Sequence, residues 1–306
     1  MKAIVKQSAK PNDIMLTEVP VPEFNEEEML IEIRAVGVGI HDEYFLPSDI
    51  SYPYPIGIEA SGIVRKVGSD VAIYSPGDRI AFVSMMQQKG GTWAEYAVVH
   101  KDSLSFRIPE DMSFEQAAAI PVAGNTALKA IESLELDSGD SLFIAGASGA
   151  IGTFLIQLAK QKGLHVAASA STKNHEYMKT LGADYTVDYH DADWQKDVGN
   201  WVAGGVNAAI AVQPNTAADS MNTVKNGGMI ISISGDQVNG ERQISAQIVS
   251  HQLDIKRQLD KMVSDIADGS MEVVIEEVYP FMEGFEALKK TQTRHARGKL
   301  ILSMDK

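Results

Sequence analysis

The run Ile144-Ala145-Gly146-Ala147-Ser148-Gly149-Ala150-Ile151-Gly152 carries the sharpest chemical signal in this 306-residue sequence. It follows an apolar stretch, Ser141–Ala145, and opens a segment of helical periodicity, Gly152–Gly163. Set against the spacing G-x-G-x-x-G, Ala147 takes the first position and Gly149 and Gly152 the other two. A glycine in the middle lets the backbone approach a pyrophosphate, and the last one lets helix pack closely on strand. The helix N-terminus adds open N–H groups and the positive end of its dipole. The plainer alternative is an ordinary glycine turn, but the strand before it and the helix after it favour a nucleotide.

The next strand end bears on which nucleotide. An NAD site wants Asp or Glu about 20 residues further on, to hold the ribose 2′-hydroxyl. Here the chain reads Ser169-Ala170-Ser171-Thr172-Lys173-Asn174, and no carboxylate follows until Glu176. Ser171 and Thr172 offer hydroxyls and Lys173 a cation, which suits a 2′-phosphate, and Ser169 is placed with them at the cofactor. The same residues can simply cap the following helix. The two roles are compatible, and NADPH is the expected cofactor.

These residues need elements to hold them. Up to about residue 113 the chain is β-rich, with short runs such as Met29–Val38, Gly62–Val67, Asp78–Val83 and Trp93–Val99 between Gly/Pro turns. From Ser113 onward strands alternate with helices: Ser141–Ala145, Gly152–Gly163, His165–Ala168, His175–Leu181, Tyr185–Val187, Ala208–Val212, Thr216–Lys225, Met229–Ser234. That alternation means βαβ units and a parallel sheet. Ile244–Val249 is read as a short edge strand and Ile255–Ala267 as an amphipathic helix. The closing runs Met271–Val278 and Lys299–Ser303 resemble the first third.

Composition excludes several classes of chemistry. The chain has no cysteine, which removes disulfides, Cys-ligated zinc, iron–sulfur clusters and thiol nucleophiles. Its formal net charge of −14 disfavours phosphate backbones, so no nucleic-acid partner is expected. No apolar run approaches the roughly 20 residues of a membrane span. The start, MKAIVKQ, reads as a strand and has no long apolar segment, so a cytoplasmic protein is expected. His100, His165, His175, His190, His251 and His295 show no metal-ligand spacing.

The motifs together resemble the zinc-independent quinone oxidoreductases of the medium-chain dehydrogenase/reductase superfamily, the ζ-crystallin-like and enone reductase group. Gly57-Ile58-Glu59-Ala60-Ser61-Gly62 is similar to that family's G-x-E-x-x-G, and Gly77-Asp78-Arg79 to its GDRV turn. Gly91-Thr92-Trp93-Ala94-Glu95-Tyr96, Ala117-Ala118-Ala119-Ile120-Pro121 with Thr126-Ala127, and His295-Ala296-Arg297-Gly298-Lys299 follow in the family's order. The resemblance covers essentially the whole chain. It implies an α/β fold: a Rossmann doubly wound parallel sheet domain plus a GroES-like β-barrel domain, with the active site in the cleft between them. The β domain is expected to be discontinuous, residues 1–116 and 268–306, around an NADP-binding domain at 117–267.

The resemblance also assigns residues. Where zinc relatives place a ligand Cys and a ligand His, this chain has Gly39 and Ile58, so hydride transfer without zinc is implied. Many relatives have Asn at the Gly39 position. Tyr44 falls where the family often has tyrosine, and is the first candidate to donate a hydrogen bond to the acceptor's oxygen. His41 is either a second polarising group or a hydrogen-bonded structural histidine. Tyr52 and Tyr54 lie in the segment that borders the substrate in relatives, or are packed aromatics. Thr126, Ala150, Ile151, Ser234 and Gly235 are implied near the cofactor, and Arg297 and Lys299 could reach it from the tail. Loops at 40–55, 85–92 and 236–250 are expected to shape the acceptor pocket. The implied activity is NADPH-dependent reduction of a quinone or α,β-unsaturated carbonyl. A homodimer paired through Ile244–Val249 is implied, with no membrane partner. The alternative is an NADPH-binding sensor or structural ζ-crystallin-like protein with weak or no turnover.

Overall fold

The computed structural model describes residues 1–84, 88–250 and 252–305. Part of the loop at 85–92 and His251 therefore lie outside the described residues. The chain divides into two compact units, residues 1–122 with 263–306, and residues 123–262.

The first unit contains β1 (Lys2–Lys6), β2 (Ile14–Glu18), β3 (Glu28–Val38), β4 (Tyr54–Pro55), β5 (Glu59–Val67), β6 (Arg79–Val83), β7 (Tyr96–His100), β8 (Ser105–Arg107) and α1 (Phe114–Ala118). The second contains α2 (Ala123–Glu132), β9 (Ser141–Ala145), α3 (Ala150–Gln161), β10 (His165–Ser169), α4 (His175–Thr180), β11 (Tyr185–Val187), α5 (Trp194–Trp201), β12 (Val206–Ala211), α6 (Ala217–Asn222), β13 (Val224–Ser232) and β14 (Ser245–Ile248). Helix α7 (Lys256–Ala267) runs through the boundary between the units. The tail returns to the first unit with β15 (Ile275–Pro280), α8 (Gly284–Gln292) and β16 (Lys299–Ser303).

In the first unit, β3 is the central element. Its 11 residues pair antiparallel with β5, β7 and β16, so the tail strand completes the sheet begun by the N-terminal third. The sheet order is β15-β16-β3-β5-β6-β8, and a smaller sheet runs β2-β1-β4. Ile4, Ile31, Ile33, Phe82, Trp93 and Leu302 form its buried core. The sequence places the first boundary at 116/117, whereas the compact unit extends to Val122. Packing explains the difference. Ser113 and Gln116 close a capping box on α1, and Ala118 and Ala119 pack on Ala35 and Ile301. The side chain of Glu59 then accepts the Val122 N–H at 2.7 Å. Small residues and a buried carboxylate thus bind this segment to the β domain.

In the second unit, all pairings of the six-stranded sheet are parallel, in the order β11-β10-β9-β12-β13-β14. Counted within the unit, this is 3-2-1-4-5-6, the doubly wound order of dinucleotide-binding sheets. Every residue of β9 is buried, as a central strand covered on both faces requires. The fold class is therefore α/β, with a Rossmann sheet and a GroES-like domain. Several local readings change. Strand β13 begins at Val224, within the run Thr216–Lys225 that the alternation reads as a helix. Strands β2, β4 and β8 and helices α2 and α5 go unread in the sequence. In α5 the apolar positions are held by aromatics: Trp194 stacks on Phe143 and Trp201 on Tyr185. No helix among the described residues is long and apolar enough to cross a membrane.

Candidate functional site

The turn between β9 and α3 is built from backbone. Gly146 has φ of +77°, a region that L side chains rarely adopt, and a Cβ there would meet Gln213 Cγ at 2.6 Å. Ala147 N–H donates to the carbonyl of Ser169 at 3.1 Å, tying the turn to the end of β10. Gly149 is the N-cap of α3, and no side chain caps that helix, so its leading N–H groups stay open to an anion. A Cβ on Gly149 would find only the Gly146 carbonyl, 3.8 Å away, which leaves the approach to the helix end clear. At Gly152 the opposite holds: a Cβ would lie 2.5 Å from Ala147 Cα, so only glycine lets α3 sit this close to the turn. The turn therefore fits a pyrophosphate, and its position at the carboxyl ends of β9 and β12 is the topological switch point of the sheet.

Around this turn the predicted residues separate into two groups. Ser148, Ala150, Ile151, Ser171 and Thr126 are half-buried, and Lys173 is exposed. Ser148 Oγ accepts from Asn174 Nδ2 at 3.3 Å, which joins the phosphate turn to the start of α4. Beside Thr126, the side-chain oxygen of Asn125 is buried with no hydrogen-bond partner, an acceptor without a donor. Ser234 is half-buried and Gly235 exposed, on a loop where Asp236 accepts the N–H groups of Thr216 and Ala217 at 3.1 and 3.3 Å. Ser169 needs correction as a side-chain contact. It is 4% exposed, and it serves the turn through its carbonyl. Thr172 is also diverted: its N–H and hydroxyl both donate to Asp188, which His190 N–H and His190 Nδ1 approach as well, at 3.0 and 2.7 Å. These hydrogen bonds, led by that of Thr172, hold the Asp188 carboxyl well below its ordinary range.

The second cluster lies in the first unit, on the turn that follows β3. Phe45 N–H and Tyr44 N–H donate to the His41 carbonyl at 2.8 and 3.1 Å, which closes residues 41–45 into a turn. Its inner side is fastened by charge. Glu43 accepts from Lys6 Nζ at 3.0 Å, with both side chains buried, and also from Asn12 N–H at 2.6 Å. Asp42 Oδ2 accepts from Gly39 N–H at 2.7 Å and from Trp93 Nε1 at 3.1 Å. Its Oδ1 is buried with no partner. Burial, the dominant cause, pushes the Asp42 carboxyl up to about 7, against the lowering by the Gly39 N–H and the charge of Lys299. The outer side is aromatic: Tyr44 is 59% exposed, Phe45 52% and Tyr52 40%. His41 Nδ1 lies 2.6 Å from the Tyr44 hydroxyl, with the two rings edge to face.

The remaining predicted positions fall as follows. Gly39 is half-buried at the end of β3, and a Cβ there would meet only the Asp42 carboxyl, its nearest atom 3.3 Å away. Ile58 is half-buried, and neither its side chain nor that of Gly39 has a metal-donor atom. Tyr54 requires correction as a substrate residue. It is 3% exposed within β4, and burial pushes its hydroxyl up to about 12. It is a packed aromatic. Lys299 is likewise committed, forming a buried ion pair with Glu59, while half-buried Arg297 donates its N–H to Glu276 at 2.8 Å. Sequence reasoning missed Asp42, Asp188 and Gln213. The Gly39-x-x-Asp42 spacing was a usable signal for the first, since a carboxylate can accept an N–H three residues back. Asp188 and Gln213 end other strands, and only the parallel sheet brings them to the phosphate turn or to the residues after β10.

Comparison with known proteins gives the same arrangement. Residues 25–110 match the alcohol dehydrogenase GroES-like domain, and residues 181–302 match the zinc-binding dehydrogenase family. The chain is 38% identical over 192 residues to the trans-enoyl reductase tazE of Aspergillus terreus, covering 56% of this chain and 63% of that one. The match thus spans less than two thirds of that relative. It is 28% identical to the NADPH-dependent alkenal/one oxidoreductase of Arabidopsis thaliana, over 99% of this chain and 79% of that protein. Among solved structures, the quinone oxidoreductase from Coxiella burnetii superposes with a TM-score of 0.88 at 28% identity, over 99% of both chains. With its GroES-like unit, its 3-2-1-4-5-6 sheet and the glycine turn after β9, the chain belongs to the medium-chain dehydrogenase/reductase superfamily, with quinone and enone reductases among its relatives.

Proposed function

We propose that the chain is an NADPH-dependent, zinc-independent oxidoreductase that reduces a quinone or an α,β-unsaturated carbonyl. The observation that carries this reading is the open phosphate turn: an uncapped α3 N-terminus with Gly149 leaving its approach clear and Gly152 seating the helix. NADPH rather than NADH rests on Ser171 and Lys173, with no carboxylate on the β10 end itself. Zinc independence rests on Gly39 and Ile58, which offer no ligand atom.

A bound reduced nicotinamide supplies the hydride. The chain's own residues bind and orient. The N–H groups at residues 150–152 would hold phosphate, and Ser171 and Lys173 would hold the 2′-phosphate. Quinones and enones accept hydride without a metal because the negative charge spreads onto a carbonyl oxygen. A protein donor aimed at that oxygen stabilises the charge and completes the reduction. Exposed Tyr44 is the proposed donor, with Phe45 and Tyr52 as apolar surface for a planar acceptor. The proposal includes a cytoplasmic homodimer, with β14 exposed along the sheet edge and Ile248 50% exposed.

The test is NADPH oxidation, followed at its absorbance band, against a panel of quinones and enones, with and without a metal chelator. Chelator-insensitive turnover is the expected result. Tight NADPH binding with no turnover on any acceptor would instead support a nucleotide-binding sensor.

A further inference from the structure

The 2.6 Å contact between His41 Nδ1 and the Tyr44 hydroxyl admits two arrangements. If the proton sits on Nε2, Nδ1 accepts the Tyr44 O–H, and that hydrogen is spent within the protein. If the proton sits on Nδ1, His41 donates to the phenolic oxygen and the Tyr44 O–H is free to point outward. The surroundings leave this choice to the contact itself. Burial of part of the ring, followed by the charges of Arg294 and Lys299, lowers the His41 pKa from 6.5. Phe45 packs on the ring, with centroids 6.1 Å apart, and offers no hydrogen bond. Asp42, the adjacent carboxylate, is turned inward to Gly39 and Trp93, and Glu59 is paired with Lys299.

We propose that His41 is the positioning partner of Tyr44: its Nδ1–H holds the phenolic oxygen, directs the Tyr44 O–H to the acceptor, and replaces the proton that Tyr44 gives away. This rests on the reductase reading above. For an enone, hydride bonds to the β-carbon and the C=C electron pair moves toward the carbonyl oxygen. The Tyr44 O–H bond breaks as a bond to that oxygen forms. The Nδ1–H bond then breaks to restore the Tyr44 hydroxyl, and Nε2 takes a proton from water, leaving hydroxide to the buffer. The ring stays neutral and ends in its other tautomer, which exchange with solvent resets. The enol so formed tautomerises to the saturated ketone; on a quinone the same hydride and proton additions give a hydroxydienone, which loses a proton from its sp3 ring carbon to water as the second oxygen takes one up, giving the hydroquinone.

Two measurements on the full chain test this. Nitrogen-15 NMR of labelled histidine in the cofactor-free protein, resolved by the His41→Ala spectrum, reads the tautomer directly. A proton on Nδ1 is expected, and a proton on Nε2 overturns the proposal. In turnover, His41→Ala should lower kcat by roughly 10- to 100-fold, with KM for the acceptor and the Kd for NADPH within about twofold of wild type. Added imidazole should restore kcat saturably in His41→Ala and have no effect in the His41→Ala/Tyr44→Phe double variant. Unchanged kcat in His41→Ala, or a loss that imidazole does not restore, overturns it. If wild type turns over no quinone or enone, the reductase reading fails, and the tautomer still decides whether Tyr44 is oriented by His41.

Discussion

The phosphate turn at residues 146–152 and the aromatic turn at residues 39–45 are built on opposite principles. The first is almost free of side chains: glycine conformation, helix N–H groups and one carbonyl make it. The second is made of side chains, with a buried Lys6–Glu43 pair, a buried Asp42 and an outward His41–Tyr44 pair. A backbone site binds a ligand common to many proteins and has no group that titrates. A side-chain site can be tuned to one acceptor, and it depends on buried charge and on pH. The comparison predicts that substitutions at the side-chain turn change stability in a pH-dependent way, and that substitutions at the backbone turn lower cofactor affinity with no dependence on pH.

The largest expected effect is at the inner side of the aromatic turn. Lys6→Met leaves Glu43 buried and unpaired, which should cost about 3–5 kcal/mol in denaturant unfolding. A loss below about 1 kcal/mol would mean that charge does not hold this turn. Next comes Asp42→Asn, whose amide oxygen keeps the acceptor for Gly39 and Trp93 but cannot ionise. Asp42 moves from an ordinary 3.8 up to about 7 on folding. Between these values the unfolded chain holds fewer protons than the folded one, so wild type loses stability as pH rises through this window. Relative to Asp42→Asn, wild type should match below about pH 4 and be weaker by a few kcal/mol above about pH 7. Parallel melting curves across that range would refute the assignment.

At the backbone turn, Gly152→Val puts a side chain into the Ala147 backbone and should cost about 2 kcal/mol, with NADPH affinity falling about 30-fold or more. Its effect on stability should be the same at pH 5 and pH 8, in contrast to Asp42→Asn. The smallest effect is Lys173→Gln, expected to weaken NADPH by about 3- to 10-fold while leaving NADH unchanged, since an exposed cation contributes modestly. Equal weakening of both cofactors, by titration calorimetry, would remove Lys173 from 2′-phosphate recognition.

How much could be read in advance follows the same division. The phosphate turn was legible because its parts are consecutive: the apolar strand Ser141–Ala145, the turn and α3 occupy one stretch of chain. The split β domain was legible because β16 has the same strand character as the N-terminal third, and β16 does pair with β3. Asp188 was not legible, since it reaches Thr172 only through the parallel pairing of β10 with β11. The burial of Tyr54 was equally hidden. Nothing local separates it from Tyr52, two residues away, which is 40% exposed while Tyr54 is 3% exposed.

The sequence alone determined the α/β class, the order of the two kinds of unit, the glycine turn between β9 and α3 and the absence of ligand atoms at Gly39 and Ile58. These follow from residue type, local spacing and hydrophobic period, all of which act over a few neighbours. The tertiary structure decided which polar groups are spent and which are left to act. Thr172 is taken by Asp188, Lys299 by Glu59 and Asp42 by Trp93, whereas His41 and Tyr44 face outward together. Three of those four pairings join residues 16, 51 and 240 apart in the chain, so they exist only once the strands have packed. Burial then sets the charge of each group, because removing a carboxylate from water depends on everything around it and on nothing in its immediate sequence.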